Sequence, residues 1–260
     1  MELGLRGRRA VVTGGSKGIG LAVASELARE GAHVAICARN ADEVAAAAKE
    51  LRGYGVTVHA QAADVTRPEQ VAGFLAAAAS ALGGIDVLVN NAGAAHPGTF
   101  ATLTDEDWQG DLDVKLFSQI RCTRAALPHL RQSGAPRVVN INAVYAKYPD
   151  PKFFATTVNR AACLNLSKAL AIELGPEGIL VNSVNIGFVV TPQWENIRSK
   201  SAPELSADEF FRQWAAEEVP LQRFGDVSEV SGIVAFLAGD RASYITGASI
   251  DVAGGMGKYV

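Results

Sequence analysis

The sequence predicts an α/β protein built as a single doubly wound parallel sheet of about seven strands, with helices on both faces. Two observations carry this prediction. Short apolar runs with strand-like periodicity alternate with longer stretches of helical periodicity, which is typical of βα units in a parallel sheet. A chain of 260 residues with 48% hydrophobic content can also bury one large core. We therefore expect one domain over residues 1–260.

The predicted strands and helices alternate along the whole chain. Each strand is a short apolar run, beginning with Ala10-Val11-Val12. The predicted strands are residues 9–13, 33–38, 56–62, 85–90, 137–142, 180–185 and 249–252. The predicted helices are residues 19–30, 41–51, 68–82, 105–130, 154–174 and 227–237. Ligands of a doubly wound sheet bind at the carboxyl ends of its strands, so the loops that follow the strands are expected to form the site.

Residues 191–224 are the one irregular insertion in this alternation. Ser206 followed by Glu209 is a capping box, which predicts the start of a helix. Aromatic residues alternate with charges here in an amphipathic pattern. They are Trp194, Phe210, Phe211 and Trp214. A mobile lid over an apolar substrate and a plain packed helix fit this pattern equally well.

Composition and charge exclude several classes of protein. The formal net charge is −3, which predicts no nucleic-acid or membrane-surface partner. No apolar run is long enough to span a membrane, and the first strand follows without the apolar segment of a signal peptide, so a cytoplasmic protein is expected. Cys37, Cys122 and Cys163 are widely spaced and odd in number, which favours buried free thiols over a disulfide or a metal site.

A glycine-rich loop directly after the first predicted strand is the strongest functional signal. It reads Thr-Gly-Gly-Ser-Lys-Gly-Ile-Gly over residues 13–20 and leads straight into a predicted helix. Glycines let the backbone approach a phosphate closely, and the unsatisfied N–H groups and dipole of a helix start favour an anion. The loop therefore predicts a pyrophosphate site, with a structural glycine-rich turn as the plainer alternative.

The spacing of Gly14, Gly18 and Gly20 resembles that of the short-chain dehydrogenase/reductase family and differs from the G-x-G-x-x-G of other dinucleotide-binding proteins. The resemblance covers nearly the whole chain. Its further marks are Asp64-Val65, Asn90-Asn91-Ala92-Gly93, Val181-Asn182, Gly187, Thr191, and residues 244–247 and 251–255. It implies a Rossmann-type fold, a nicotinamide cofactor, a substrate lid at residues 191–224, and a homotetramer with a dimer as the alternative.

The resemblance also implies which residues bind the cofactor. They are Gly14, Ser16, Lys17, Gly18, Ile19, Gly20, Arg39, Asn40, Asp64, Val65, Asn91, Ala92, Gly93, Arg160, Gly187 and Val189. Asp64 is expected to contact the adenine amino group. Its alternative role is to cap the helix that begins at Pro68, and the two roles are compatible.

Arg39 and Lys17 indicate which nicotinamide cofactor binds. A carboxylate after the second strand would accept a hydrogen bond from the ribose 2′-OH, whereas this chain has Ala38-Arg39-Asn40 there. A guanidinium binds phosphate in a bidentate manner, and Lys17 adds a second cation inside the glycine loop. We therefore expect NADP(H), although either charge alone is equally typical of a solvated surface.

The positions that carry catalysis in the family are substituted in this chain. The family places a Ser after the fifth strand, a Tyr and a Lys on the next helix, and an Asn on the preceding long helix. The corresponding residues here are, in that order, Ala143, Thr156, Arg160 and Lys115. A Tyr-x-x-x-Lys spacing recurs from Tyr148 to Lys152, but the two prolines within it disfavour a helix, and we interpret it as coincidental.

Tyr145 and Lys115 are the candidates for restoring the chemistry of this site. A Thr hydroxyl is a weak acid, and Arg160 stays charged, so it anchors ribose or an anion but shuttles protons poorly. Tyr145 lies at the position of the catalytic Tyr of the 2,4-dienoyl-CoA reductases, a similar branch of the family with a Ser hydroxyl at the Thr156 position. That branch keeps the helix Lys, which this chain lacks. A packing aromatic is the alternative for Tyr145, and a surface lysine for Lys115. His96, in the loop after residues 90–93, is a candidate substrate contact, with an exposed loop residue as the alternative.

Three classes of function follow from these observations. The first is an NADP(H)-dependent reductase with a rebuilt site that acts on a conjugated or activated carbonyl compound, a small molecule. The second is a non-redox enzyme on the same scaffold. The halohydrin dehalogenases are similar in having Arg at the Arg160 position, but they keep Ser and Tyr and lose the dinucleotide loop. The third is an NADP(H)-binding sensor or a catalytically inactive subunit.

Overall fold

Seven parallel strands form one sheet in the computed structural model, which describes residues 2–257. They are β1 (Arg9–Thr13), β2 (His33–Ala38), β3 (Val58–Ala62), β4 (Val87–Asn90), β5 (Arg137–Ala143), β6 (Leu180–Ile186) and β7 (Ser249–Val252). Their order is β3-β2-β1-β4-β5-β6-β7, with each neighbouring pair parallel. The predicted doubly wound fold is confirmed. Residues 1 and 258–260 of the predicted domain lie outside the described range.

Helices cover both faces of this sheet. They are α1 (Gly18–Arg29), α2 (Ala41–Arg52), α3 (Pro68–Leu82), α4 (Asp105–Leu112), α5 (Ser118–Leu130), α6 (Phe154–Leu174), α7 (Pro192–Ser201), α8 (Ala207–Glu218) and α9 (Val227–Ala238). One apolar core joins α1, α2 and α9 to the sheet, and a second joins α3, α5 and α6 to its other face. A sheet buried on both faces explains why its strands are continuous apolar runs.

The predicted helix at 105–130 is wrong as a continuous α-helix. A π-helical turn at Asp113–Phe117 separates α4 from α5. The Ser118 hydroxyl donates to the carbonyl of Val114 at 2.7 Å within this turn. Such an insertion rotates the side chains that follow it relative to an ordinary helix. The turn carries Lys115, which it places inside the protein rather than on its surface.

Other element boundaries differ only at their ends. β3 and β4 begin later than predicted, and β5 and β6 each continue one residue further than predicted, to Ala143 and Ile186. The predicted capping box of Ser206 and Glu209 is confirmed at the start of α8. Tyr148 and Lys152 lie in bends and turns rather than in a helix, as the two prolines between them predict.

The order in which strands are added to the sheet reverses between β1 and β4. The chain places β2 and β3 on one side of β1, and β4 to β7 on the other side. β1 pairs with β2 on one side and with β4 on the other, so the loops after β1 and β4 leave a crevice at the carboxyl edge. Ligands of open α/β sheets bind at such a point. The glycine loop and residues 90–93 meet here.

The structure also bears on membranes, metals and thiols. None of the helices described is long and apolar enough to cross a membrane. Within residues 2–257, no cluster of three or more His, Cys, Asp or Glu side chains could hold a metal ion. Cys37, Cys122 and Cys163 are buried and free, and burial raises the pKa of the Cys37 thiol to about 12. These thiols are unreactive at neutral pH.

Candidate active site

The glycine loop after β1 has the backbone that a phosphate site requires. Gly14 and Gly18 have φ angles of +66° and +55°, a region that side chains with a Cβ rarely adopt. A Cβ on Gly20 would collide with the carbonyl of Gly14, so the loop closes onto the start of α1 only with glycine there. Lys17 occupies the N-cap position without a side-chain cap within the described chain, which leaves the first N–H groups of α1 for a ligand.

Asn91 fixes this loop from the neighbouring strand. Its side-chain amide donates to the carbonyls of Thr13 at 2.9 Å and Gly14 at 3.1 Å. The hydroxyl of Thr13 in turn accepts from the backbone N–H groups of Asn91 and Ala92. Asn91 was predicted to contact the cofactor, and its amide is used here to hold the backbone around the crevice. Its role toward the cofactor itself stays a prediction.

Two residues are predicted to select the cofactor. Arg39 follows β2, and Lys17 lies in the glycine loop. Arg39 is exposed, and the side chain of Asn40 caps α2 by accepting from the N–H groups of Asp42 and Glu43. Lys17 donates to Glu43 at 2.8 Å. Ser16 donates to the other carboxylate oxygen of Glu43 at 3.3 Å. Glu43, which the sequence did not single out, therefore holds two predicted cofactor residues.

Asp64 does not cap α3. The N-cap position belongs to Arg67, whereas the Asp64 carboxylate accepts from the backbone N–H of Thr66 at 2.9 Å and from its hydroxyl at 2.8 Å. The alternative prediction of a helix N-cap is thus wrong, because the Asp64 carboxylate closes a turn with Thr66 before α3 begins. Burial acts to raise the pKa of Asp64, but the bonds from Thr66 and the charges of Arg39 and Arg67 lower it overall.

Arg160 lies beneath the loop that follows β4. Its Nη1 donates to the carbonyl of Ile141 at 2.8 Å, and a Cβ at position 93 would come within 3.0 Å of its Nη2. Asn142 donates to the Arg160 carbonyl at 3.1 Å. The Nε of Arg160 is buried and finds no acceptor within residues 2–257. A buried guanidinium donor without a partner fits a cofactor or substrate oxygen, because such a group is costly to leave unpaired.

The other predicted cofactor residues line the same edge of the sheet. A Cβ at Gly187 would lie 2.8 Å from the Cα of Ala253, so β6 can pass this close to residue 253 only as glycine. Ile19, Val65 and Val189 are buried. Their contacts with the cofactor stay a prediction.

Lys115 is fully buried and contacts Thr156. Its side chain is 0% exposed, and its Nζ donates to the Thr156 hydroxyl at 3.0 Å. The same nitrogen forms a close ion pair with Asp111, one helical turn earlier. The hypothesis of a surface lysine is excluded by this burial. Whether Lys115 takes part in catalysis stays a prediction.

The environment of Lys115 makes it more acidic than an ordinary lysine. Burial lowers the pKa of Lys115 to about 8, and the positive charge of Arg160 acts in the same direction. The negative charge of Asp111 opposes both effects. A lysine with this pKa remains mostly protonated at neutral pH, yet it can release its proton near that pH.

Asp111 and Asn159 complete a buried polar network that the sequence did not reveal. Asp111 is 2% exposed; one of its oxygens contacts Lys115 and accepts from the Thr156 hydroxyl at 3.4 Å. Its other oxygen accepts from the Asn159 amide at 2.8 Å. The signal available in the sequence was the spacing of four residues between Asp111 and Lys115, which pairs two side chains on a helix.

Tyr145 packs against Phe153 below the lid. The two rings stack with centroids 5.5 Å apart, and Tyr145 is 8% exposed. Its hydroxyl is buried and has no hydrogen-bond partner in the geometry described for residues 2–257. Burial raises the pKa of the Tyr145 phenol, and the charge of Asp150 acts in the same direction. A raised pKa makes it a weaker acid than a free tyrosine.

The loop after β4 covers Thr156. The backbone N–H of His96 points to the Thr156 hydroxyl at 3.4 Å, while the His96 ring lies 3.2 Å from Asp107. The imidazole is therefore engaged at the start of α4 rather than in the crevice. Thr156 is 5% exposed beneath this loop.

The insertion forms an aromatic cluster at the same edge. Phe188, Trp194, Trp214 and Phe224 pack with ring centroids between 4.9 and 5.8 Å apart. Tyr145 and Phe153 belong to the same cluster, and Ala143, at the position of the family Ser, packs against it. Gln193 of α7 accepts from the Ala95 N–H at 3.0 Å, which links the insertion to the loop above Thr156.

Known proteins share both the sequence and the fold of this chain. The family model described as enoyl-(acyl carrier protein) reductase matches residues 14–257. A granaticin polyketide synthase putative ketoacyl reductase of Streptomyces violaceoruber is 36% identical over 254 residues, covering 96% of this chain and 93% of that protein.

Two solved structures are similar over almost the entire length. A short-chain oxidoreductase from Pseudomonas aeruginosa PAO1, described as containing an atypical catalytic center, has a TM-score of 0.93 and 38% identity and covers 99% of this chain and 100% of its own. L-Sorbose reductase from Gluconobacter frateurii, complexed with NADPH and L-sorbose, has a TM-score of 0.95 and 34% identity, with 100% of each chain covered.

Proposed function

The chain belongs to the short-chain dehydrogenase/reductase family and uses NADP(H), and from these two facts we propose that it reduces a conjugated or activated carbonyl compound. The observation that carries this proposal is the buried hydrogen bond of 3.0 Å from Lys115 to Thr156. It places an ammonium group directly behind the hydroxyl that stands where the family has its catalytic Tyr. The site has lost that Tyr but retains a proton source.

The residues present fit the cofactor. The glycine loop with Gly14 and Gly18 suits the pyrophosphate, Arg39 and Lys17 suit the 2′-phosphate, and the unpaired Nε of Arg160 suits ribose. Bound NADPH would supply the hydride, for the carbonyl carbon or for the β-carbon of a conjugated compound. The protein itself must supply a proton for the carbonyl oxygen and stabilise charge on that oxygen.

Thr156 and Lys115 deliver this proton in our proposal. The Thr156 hydroxyl is held only weakly by Asp111 at 3.4 Å, and a hydroxyl rotates easily, so it can turn to donate to the substrate oxygen. As the Thr156 proton moves to that oxygen, the Lys115 ammonium passes one of its protons to Thr156. Lys115 is then neutral and regains a proton from water. A pKa of about 8 suits this exchange near neutral pH.

Arg160 provides the fixed positive charge of the site. Ala143 offers no donor where the family has Ser, so the developing oxyanion depends on Arg160 and Thr156 for stabilisation. Hydride addition to a conjugated carbonyl compound gives an enolate, whose delocalised charge demands less of the acid before protonation. We assign Tyr145 to the wall of the substrate pocket instead, because its phenol is buried and is a weak acid.

Residues 191–224 act as the substrate lid in this proposal. The aromatic rings of Trp194 and Trp214 give the lid an apolar inner surface, which favours an apolar substrate. The hydrogen bond from Ala95 to Gln193 joins the lid to the loop that covers Thr156. Opening the lid therefore exposes the hydroxyl, and closing it excludes water from the reaction.

An assay of NADPH oxidation with ketones, enones and acyl thioesters tests the proposed function. Reduction of any of these compounds above the rate without protein is the expected result. Tight NADPH binding without hydride transfer to any of them would contradict the proposal and favour a sensor or an inactive subunit. A failure of the parent protein to bind NADPH would favour a non-redox enzyme.

A further inference from the structure

The buried pair of Asp111 and Lys115 needs an explanation beyond stability. Both side chains are almost fully removed from water, at 1% and 0% exposed. Burying two charges costs desolvation energy that their mutual attraction often does no more than offset, and apolar residues of similar volume commonly serve as well. A pair retained at such a cost, next to the hydroxyl at the reaction site, indicates a role in the chemistry of that hydroxyl.

The Asp111 carboxylate connects two helical segments through its hydrogen bonds and its ion pair. Its first oxygen contacts Lys115 and Thr156, and its second accepts from Asn159 at 2.8 Å. Asp111 and Lys115 belong to α4 and the π-helical turn after it, whereas Thr156 and Asn159 belong to α6. Both oxygens of the carboxylate are thus hydrogen-bonded, and the lysine nitrogen contacts both the first oxygen and the Thr156 hydroxyl.

We propose that Asp111 is a positioning residue that keeps the Lys115 amine protonated and aimed at Thr156. This inference rests on the proposed function, since it concerns the proton source of the same site. Asp111 does not touch the substrate. It acts through Lys115, and it offers the Thr156 hydroxyl a weak acceptor that a substrate oxygen can displace.

The charged groups around Lys115 determine whether its pKa rises or falls when Asp111 is removed. Asp111 on α4 favours the ammonium, while Arg160 on α6 and burial disfavour it. Cys163 on α6 also lies nearby, but burial raises the pKa of its thiol, so it stays uncharged at neutral pH. Asp113, on the same turn as Lys115, binds Arg121 at 3.0 Å instead. Asp111 is therefore the carboxylate that stabilises the protonated form of Lys115.

Removal of this anion should lower the pKa of Lys115. Turnover requires the ammonium form, so in the parent protein it should fall as the pH rises through about 8. In Asp111→Asn the fall should occur at least about one pH unit lower, the usual effect of an adjacent opposite charge. NADPH affinity should be unchanged. Asp113→Asn, a matched control two residues away, should leave the pH profile as it is.

The experiment combines the pH dependence of turnover with a direct titration of lysine. Protein labelled with ¹³C-lysine allows the Lys115 amine to be titrated by NMR, with Lys115→Arg used to assign its resonance. We expect the Asp111→Asn variant to show a lower pKa for this amine. An unchanged amine pKa and an unchanged pH profile in a variant that still binds NADPH would overturn the proposal, since a merely structural role lowers turnover equally at every pH.

Two other outcomes can be told apart from failure of the proposal: the Asp111→Asn variant does not fold, or the parent protein is inactive. If Asp111→Asn does not fold, Asn159→Ala removes only the hydrogen bond that fixes the second oxygen and should shift the profile in the same direction by less. An unchanged Lys115 pKa in that variant would then overturn the proposal. If the parent protein reduces no carbonyl compound, the proposed function fails, while the NMR titration still tests the role of Asp111.

Discussion

The ammonium nitrogen of Lys115 lies 3.0 Å from the hydroxyl of Thr156, and both side chains are buried between α4 and α6. In the family, these two positions carry an Asn and the catalytic Tyr. Here a charged donor stands directly behind a short hydroxyl. In the proposed mechanism these two groups, acting in series, take the place of the single Tyr acid.

NADPH should bind more tightly than NADH. Arg39 and Lys17 are positioned to meet a 2′-phosphate, and the Arg39→Asp substitution exchanges a phosphate partner for an acceptor of the ribose 2′-OH. We expect this substitution to reverse the order of the two affinities. Fluorescence titration at fixed salt measures both, and equal affinities in the parent protein would refute the assignment.

Glu43 should weaken the binding of the 2′-phosphate. Its carboxylate holds Lys17 at 2.8 Å and Ser16 at 3.3 Å, and hence competes for the cation that a phosphate needs. Glu43→Gln should bind NADPH roughly two- to fivefold more tightly, with little change for NADH, because exposed ion pairs are weak. The gain should shrink at high salt.

Asp42→Asn is the matched control for this effect, since it removes a carboxylate from the same turn of α2. It should change the NADPH affinity less than Glu43→Gln does. If the two substitutions act equally, the effect comes from the general charge of the helix end and not from the contact with Lys17.

Thr156 and Tyr145 can be compared directly as proton donors. The Thr156→Val substitution removes the hydroxyl at nearly constant volume, and we expect turnover to fall by roughly 10²–10⁴, the usual range for a lost general acid. Tyr145→Phe should lower turnover less than roughly tenfold, because the phenol is buried and stacked on Phe153. Both variants should keep their NADPH affinity. The opposite order of effects would assign the role of acid to Tyr145, for which the sequence left both a catalytic role and a packing role open.

Much of the fold was predictable because strand and helix periodicities are local properties. The π-helical turn at Asp113–Phe117 was not, since these five residues include no glycine or proline that would mark a break in the helix. The same limit hid Asp111. A carboxylate at a helical position is usually solvated, and its burial follows only from the packing of α4 against α6.

The site was predictable where it depends on spacing and not where it depends on side-chain direction. The glycine loop follows from its spacing and context, and the four substituted positions follow from the resemblance to the family. Capping of α3 was the alternative role predicted for Asp64, and the cap position is Arg67 instead, because Asp64 closes its own turn with Thr66. The stacking of Tyr145 on Phe153 likewise depends on contacts between residues that no local pattern relates.

We propose that the chain assembles in the cytoplasm as a homotetramer, with a dimer as the alternative. Ile172 on α6 is 70% exposed and Val158 is 46% exposed, which gives this helix an apolar outer surface. Light scattering should show the tetramer mass, and Ile172→Glu should lower it by placing a charge in the contact. A monomer at micromolar concentration would contradict this assembly.

The most direct test is the single-turnover rate of hydride transfer in Lys115→Met compared with the parent protein, both saturated with NADPH. Because Thr156 alone is a weak acid, the rate should fall by roughly 10²–10⁴ while the Kd for NADPH stays the same. The unchanged Kd shows that the variant is folded. A variant that binds NADPH normally and reduces the substrate at the parental rate would contradict the role of Lys115 as the proton source.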